Sequence, residues 1–171
     1  MDEYMVVLRL IHIFAGIVWV GFAWFMTFVI TPTVRASRQD GQAITRNLFK
    51  HSRLLNVMPV TSLLTTVSGL LLYYRISDHF NSDWMSSTAG VVLSIGSVAG
   101  IAEFLFGGTV IRPTGNSLAK LGAEIERQGG PPSESQLSQL HALQERMGKS
   151  ELPSTVLTIV AVIGMAAARY M

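Results

Sequence analysis

Apolar residues fall along this chain in four long runs separated by polar stretches. Tyr4 to Ile30 holds Arg9 and His12 as its only basic, acidic or imidazole side chains; Leu54 to Tyr74 holds none. Thr88 to Ile111 holds only Glu103, and Leu152 to Ala168 holds none. A helix that crosses a bilayer needs about 20 mostly apolar residues, within a range of about 17–25. The pattern predicts four transmembrane helices, at residues 4–30, 54–74, 88–111 and 152–170. The expected fold class is all-α: a polytopic four-transmembrane-helix bundle, one membrane domain over residues 1–171. The first run does not read as a cleaved signal peptide, because it opens on the acidic "MDEY" and its apolar stretch is too long.

The polar stretches have helical patterns of their own and are expected as cytoplasmic amphipathic helices over residues 35–53 and 114–150. In the first, Ile44, Leu48, His51 and Leu55 fall near one face. In the second, "GGPP" at Gly129 to Pro132 breaks one helix and Ser133 with Gln136 has the spacing of a capping box that starts the next. Leu137, Leu140, Leu143 and Met147 form a stripe, and Gly148 is placed to end it. These helices are expected to lie on the membrane surface, pack under the bundle or dock a partner.

Charge orients the chain. Charged residues make up 14% of the sequence, against about 25% in soluble domains. Arg35, Arg38, Arg46, Lys50 and Arg53 lie between the first two runs; Arg112, Lys120, Arg127, Arg146 and Lys149 lie between the last two. Basic loops stay in the cytoplasm, so both termini and the 75–87 loop are expected outside, in a bacterial inner membrane. Tyr4, Tyr73, Tyr74, Trp84 and Tyr170 would then form an outer aromatic belt. Bases placed to flank spans argue against nucleic acid as a partner. There is no cysteine, which excludes disulfides, thiolate metal sites and iron–sulfur clusters.

The two halves look alike. "FVITPTV" around Pro32 is echoed by "GTVIRPTG" around Pro113, 81 residues on. "MPVTSLLTTVSG" is echoed by "LPSTVLTIVAVIG". The order in each half is span, Pro-Thr exit, polar segment, proline, span, which suggests a parallel duplication. His12 has no counterpart, because the same displacement leads to Leu93.

His12, Gly16, Trp19 and Ala23 share one side of the first helix, with Ala15 beside them. An imidazole above a patch of minimal bulk, followed by an aromatic ring, offers a groove and an axial donor for a flat macrocycle. The same small residues equally allow close helix packing. "HIFAGIVWVGFAWF" resembles the His-x-x-x-Gly-x-x-Trp-x-Gly pattern of small bacterial membrane proteins that include the copper-resistance D proteins and HemJ-type protoporphyrinogen oxidases. "SRLLNVMPVTSLLTTVSGLLL" is similar to their second helix, so the resemblance covers roughly the first 75 residues. It implies that His12 ligates haem b or a metal. The HemJ-type enzymes also use a lysine in a later helix, and the later spans here carry none.

His51, at the opposite end of the bundle, is too far from His12 to share one iron; His79 is in the outer loop and His141 on a cytoplasmic helix. Arg9 is placed to pair with a haem propionate or to snorkel to headgroups. Glu103 is placed as a proton-transfer group or propionate partner, or as a structural acid bonded to Asn56, Thr61 or a backbone carbonyl. The leading expectation is a membrane protein that binds haem b through His12, with Gly16, Trp19, Arg9 and Glu103 around it and redox chemistry or haem handling as its task. The alternatives are a cofactor-free assembly subunit that docks a partner, and a copper or small-solute transporter. Expected partners are the lipid bilayer and a second copy of the chain or another membrane protein.

Overall fold

The computed structural model describes residues 3–37 and 53–171. Helix α1 (Glu3–Phe25) passes through a widened turn at Met26–Ile30 into α2 (Thr31–Ala36). Helix α3 (Leu54–Ile76) is followed by the short α4 (Ser82–Ser86) and by α5 (Thr88–Phe106). A second widened turn, Gly107–Ile111, leads into α6 (Arg112–Gln128). Helix α7 (Glu134–Ala167) ends in a 3-10 turn at Ala168–Tyr170. No strand occurs among the described residues. Four helices are long and apolar enough to cross a membrane: Glu3–Val34, Asn56–Ile76, Thr88–Gln128 and Glu134–Tyr170. The expected face of Ile44, Leu48 and His51 lies outside the described residues.

The helices do not stop where the apolar runs do. Proline has no N–H, and its ring crowds the carbonyl four residues back. Both exits meet this with one π-helical turn. The Thr31 N–H bonds to the carbonyl of Met26, and the Arg112 N–H to that of Gly107, each five residues back. The chain thus passes Pro32 and Pro113 without breaking, and each proline lies in the first turn of the next helix. The two turns are themselves displaced by 81 residues, which supports the duplication.

The polar helix hairpin forms as its punctuation predicts. Gly129 takes the left-handed conformation, φ 68°, at the end of α6. Ser133 accepts from the Gln136 N–H, and the Gln136 side chain accepts from the Ser133 N–H. The expected stop at Gly148 does not occur: α7 runs unbroken for 34 residues through Gly148 and Pro153. A helical glycine costs only about 1 kcal/mol, which the packing of α7 on both α5 and α6 outweighs.

The four long helices pack as two pairs, α1 with α3 and α5 with α7, one pair from each half. In the second pair the backbones almost touch. A Cβ added to Gly164 would lie 2.7 Å from Gly96 Cα, so only glycine fits at that crossing. The pairs join where the termini lie. There Tyr73 Oη and Ser94 Oγ are 2.5 Å apart, joining α3 to α5. Trp84 meets the Tyr73 ring edge-on at 5.9 Å, and the Arg75 guanidinium lies over Tyr4 at 5.8 Å. The expected aromatic residues Tyr4, Tyr73 and Trp84 therefore do share one end of the bundle.

Candidate functional site

Toward the proline-bearing end the two pairs leave a cleft of about 1160 Å3 between them. Its walls are equivalent faces of the two halves. Phe22, Ala23, Met26, Thr27, Ile30, Thr31 and Val34 line it from the first. The residues 81 positions on, Glu103, Phe104, Gly107, Gly108, Ile111, Arg112 and Gly115, line it from the second. Met58, Pro59, Ser62 and Leu63 of α3, with the Glu151 and Ser154 region of α7, complete it. Both π-helical turns face the cleft, as such turns often do at functional sites. The cleft is therefore lined by positions that correspond across the 81-residue displacement, and its polarity is not symmetric: Phe22 is matched by Glu103.

Glu103 is 4% exposed. The Ser154 hydroxyl donates to its Oε1 at 2.6 Å, and the Thr158 hydroxyl donates to the Ser154 carbonyl at 2.7 Å. The sequence-based candidates for the structural partner, Asn56 and Thr61, are not the ones used. Ser154, one turn into the apolar part of α7, takes the role because α5 crosses α7 there. Glu103 Oε2 is buried and has no hydrogen-bond partner among the described residues. A buried polar atom left this way costs about 1–3 kcal/mol, and more if charged. Trp24 Nε1 is also buried without a partner among them, but Trp24 does not line the cleft.

The sequence-predicted site divides. Trp19 and Glu103 line the same cleft. His12 and Gly16 do not; they face α3 within the first helix pair. His12 Nδ1 lies 2.8 Å from the Thr65 carbonyl, which can only accept, so Nδ1 carries the proton. The ring fits against Gly69, where an added Cβ would come within 2.8 Å of His12 Cε1. The small surface at Gly16 is met by Thr65: a Cβ there would lie 3.6 Å from Thr65 Cγ2. The face that carries His12 and Gly16 thus packs against Thr65 and Gly69 of α3. Arg9 is exposed. His79 stacks edge-on against Tyr74 at 4.7 Å, outside the bundle core, and His141 lines the cleft at its polar end. Among the described residues no three His, Cys, Asp or Glu side chains cluster to hold a metal.

Sequence reasoning missed Ser154, Phe22 and Phe104. The doubled Pro-Thr exit was the signal available for the two phenylalanines, since extending that alignment inward pairs Phe22 with Glu103 and Ala23 with Phe104; it does not reach Ser154. No known protein family matches this chain, and no curated protein or solved structure shows a significant likeness to it.

Proposed function

We propose that this chain is a multi-pass protein of the bacterial cytoplasmic membrane that binds a small solute in the cleft between its two halves, with Glu103 as the contact group. One observation carries this reading: Glu103, on the wall of a cleft of about 1160 Å3, has a buried carboxyl oxygen with no hydrogen-bond partner among the described residues. Buried polar side chains are nearly always satisfied, and ionisable groups within a bilayer mark functional sites by default. The basic residues about both proline exits support the orientation, with termini outside and the cleft opening toward the cytoplasm.

We prefer the small-solute alternative to haem b because the cleft has room for a ligand beside a buried carboxyl oxygen that no described residue engages, whereas α3 packs against the His12 face. A Soret band in purified protein, lost in His12→Ala and Gly16→Leu but kept in His51→Ala, would restore the haem reading.

The test is covalent. The hydrophobic reagent dicyclohexylcarbodiimide forms a stable N-acylurea on carboxyls reached through an apolar path. Purified protein should take one adduct at Glu103, located by peptide mass. The adduct should be absent in Glu103→Gln and slowed in Gly108→Leu, whose added bulk enters the cleft. Folded wild-type protein that takes no label at Glu103 would overturn the reading.

A further inference from the structure

Resting on that reading, we propose that the solute is a lipophilic organic cation. The charges around the cleft point to one sign at its inner end. Among the described residues, Glu103 is the one ionisable side chain that lines the stretch of the cleft between Trp19, Phe22 and Phe104. Of the other charged or titratable lining groups described, Arg112, His141, Glu145 and Lys149 lie toward the polar end, and Glu151, itself acidic, lies one turn before Ser154 on α7. Arg112 lies nine residues beyond Glu103, or roughly 13 Å along the helix. Lys149 Nζ is occupied there by Glu145 Oε1 at 2.7 Å. Among the described residues no lysine, arginine or histidine thus lines the cleft near the carboxyl, and none of them bonds to Oε2, which leaves that oxygen to a positive or hydrogen-donating group of a ligand.

The walls set the rest of the ligand. Trp19, Phe22 and Phe104 supply ring surfaces, and Met26 and Met58 supply soft, polarisable bulk. Aromatic faces attract cations, most strongly where water is excluded. Methionine adapts to ligands of varied shape. A volume of about 1160 Å3 exceeds that of the usual drug-sized pocket, about 300–1,000 Å3. A compact inorganic cation would leave most of that space and all of the aromatic surface unused, and a metal ion would need more donors than one carboxylate oxygen. A delocalised cation on an apolar multi-ring body uses both features. The hydroxyl of Ser62 does not compete for the carboxyl, since it donates to the Pro59 carbonyl of its own helix at 3.1 Å.

The probe is tetraphenylphosphonium, with the oppositely charged tetraphenylborate of nearly the same shape as control. Both are added to full-length protein in detergent before dicyclohexylcarbodiimide, and the rate of Glu103 labelling is read by mass spectrometry. Tetraphenylphosphonium should protect Glu103 by at least about tenfold, and tetraphenylborate should not. By equilibrium dialysis, Glu103→Gln should bind tetraphenylphosphonium at least about tenfold more weakly than wild type while keeping its melting temperature. Trp19→Leu, which retains the carboxyl, should weaken binding about threefold to tenfold. Should Glu103→Gln fail to fold, the Trp19→Leu and protection results stand as the test. Labelling at Glu103 that neither ion affects would overturn the cation assignment and leave the cleft reading intact. Equal protection by both ions would also overturn it, by revealing apolar sequestration without charge selection. Absence of labelling in folded protein would instead remove the cleft reading on which the assignment rests.

Discussion

His12 donates from Nδ1 to the backbone carbonyl of Thr65, 2.8 Å away, with its ring seated where Gly69 has no side chain. Thr65 O is an acceptor in the interior of α3, and Ser68 Oγ, one turn on, lies 3.2 Å from the same oxygen. The bond joins α1 to α3, and the glycine is what lets the imidazole come close enough to make it.

This pair predicts a double-mutant cycle. Gly69→Ala places a methyl 2.8 Å from His12 Cε1 and should cost about 1–3 kcal/mol in stability. His12→Ala alone should cost about 1 kcal/mol, the scale of interhelical hydrogen bonds in membranes. Together the two changes should cost less than their sum by at least about 1 kcal/mol, because the methyl then occupies the space the ring has left. Additive losses in denaturant unfolding would show that ring and glycine are not coupled.

The glycines divide into two classes. A Cβ at Gly96 would lie 2.9 Å from Met165 N, and one at Gly164 would lie 2.7 Å from Gly96 Cα. Backbone cannot yield there, so Gly96→Ala and Gly164→Ala should each destabilise by more than about 2 kcal/mol. Gly107→Ala and Gly108→Ala meet nothing within 4 Å and should fold like wild type. Thermal melting of the four variants checks the contrast; equal behaviour would sink the proposed α5–α7 crossing.

Ser154 and Glu103 predict an asymmetry. Ser154→Ala removes the one hydrogen-bond partner of the carboxyl among the described residues and should cost about 1–3 kcal/mol. Glu103→Gln keeps an oxygen that accepts from Ser154 and should cost less than about 1 kcal/mol. Melting temperatures in the reverse order would mean that the carboxyl is held by something other than Ser154.

Orientation has its own test. A reporter fused after Met171 should be active only outside the cytoplasm, and one inserted at Gly130, between α6 and α7, only inside it. The opposite pattern would reverse the direction in which the cleft opens.

The number of long apolar helices, the helix start at Ser133 and the break at Gly129 were all legible in the chain, because hydropathy, capping and backbone conformation are properties of neighbouring residues. So was the rarity of Glu103, since an acid stands out in an apolar run. What the chain by itself left undecided involves distance or competition. Pro32 and Pro113 read as helix ends, yet a π-helical turn carries the backbone past each, and which outcome prevails depends on packing beyond the proline. Gly148 lost to contacts that α7 makes with two other helices. His12 and Gly16 read as a cofactor groove because one helix face says only that bulk is missing there. What fills the gap, Thr65 from α3, depends on how two helices cross. The separation of Trp19 and Glu103 from His12, and the cleft itself, exist only where the two halves meet at one end and part at the other. Tertiary packing alone decides that, because side chains distant in sequence set the register and spacing of the helices that hold the site.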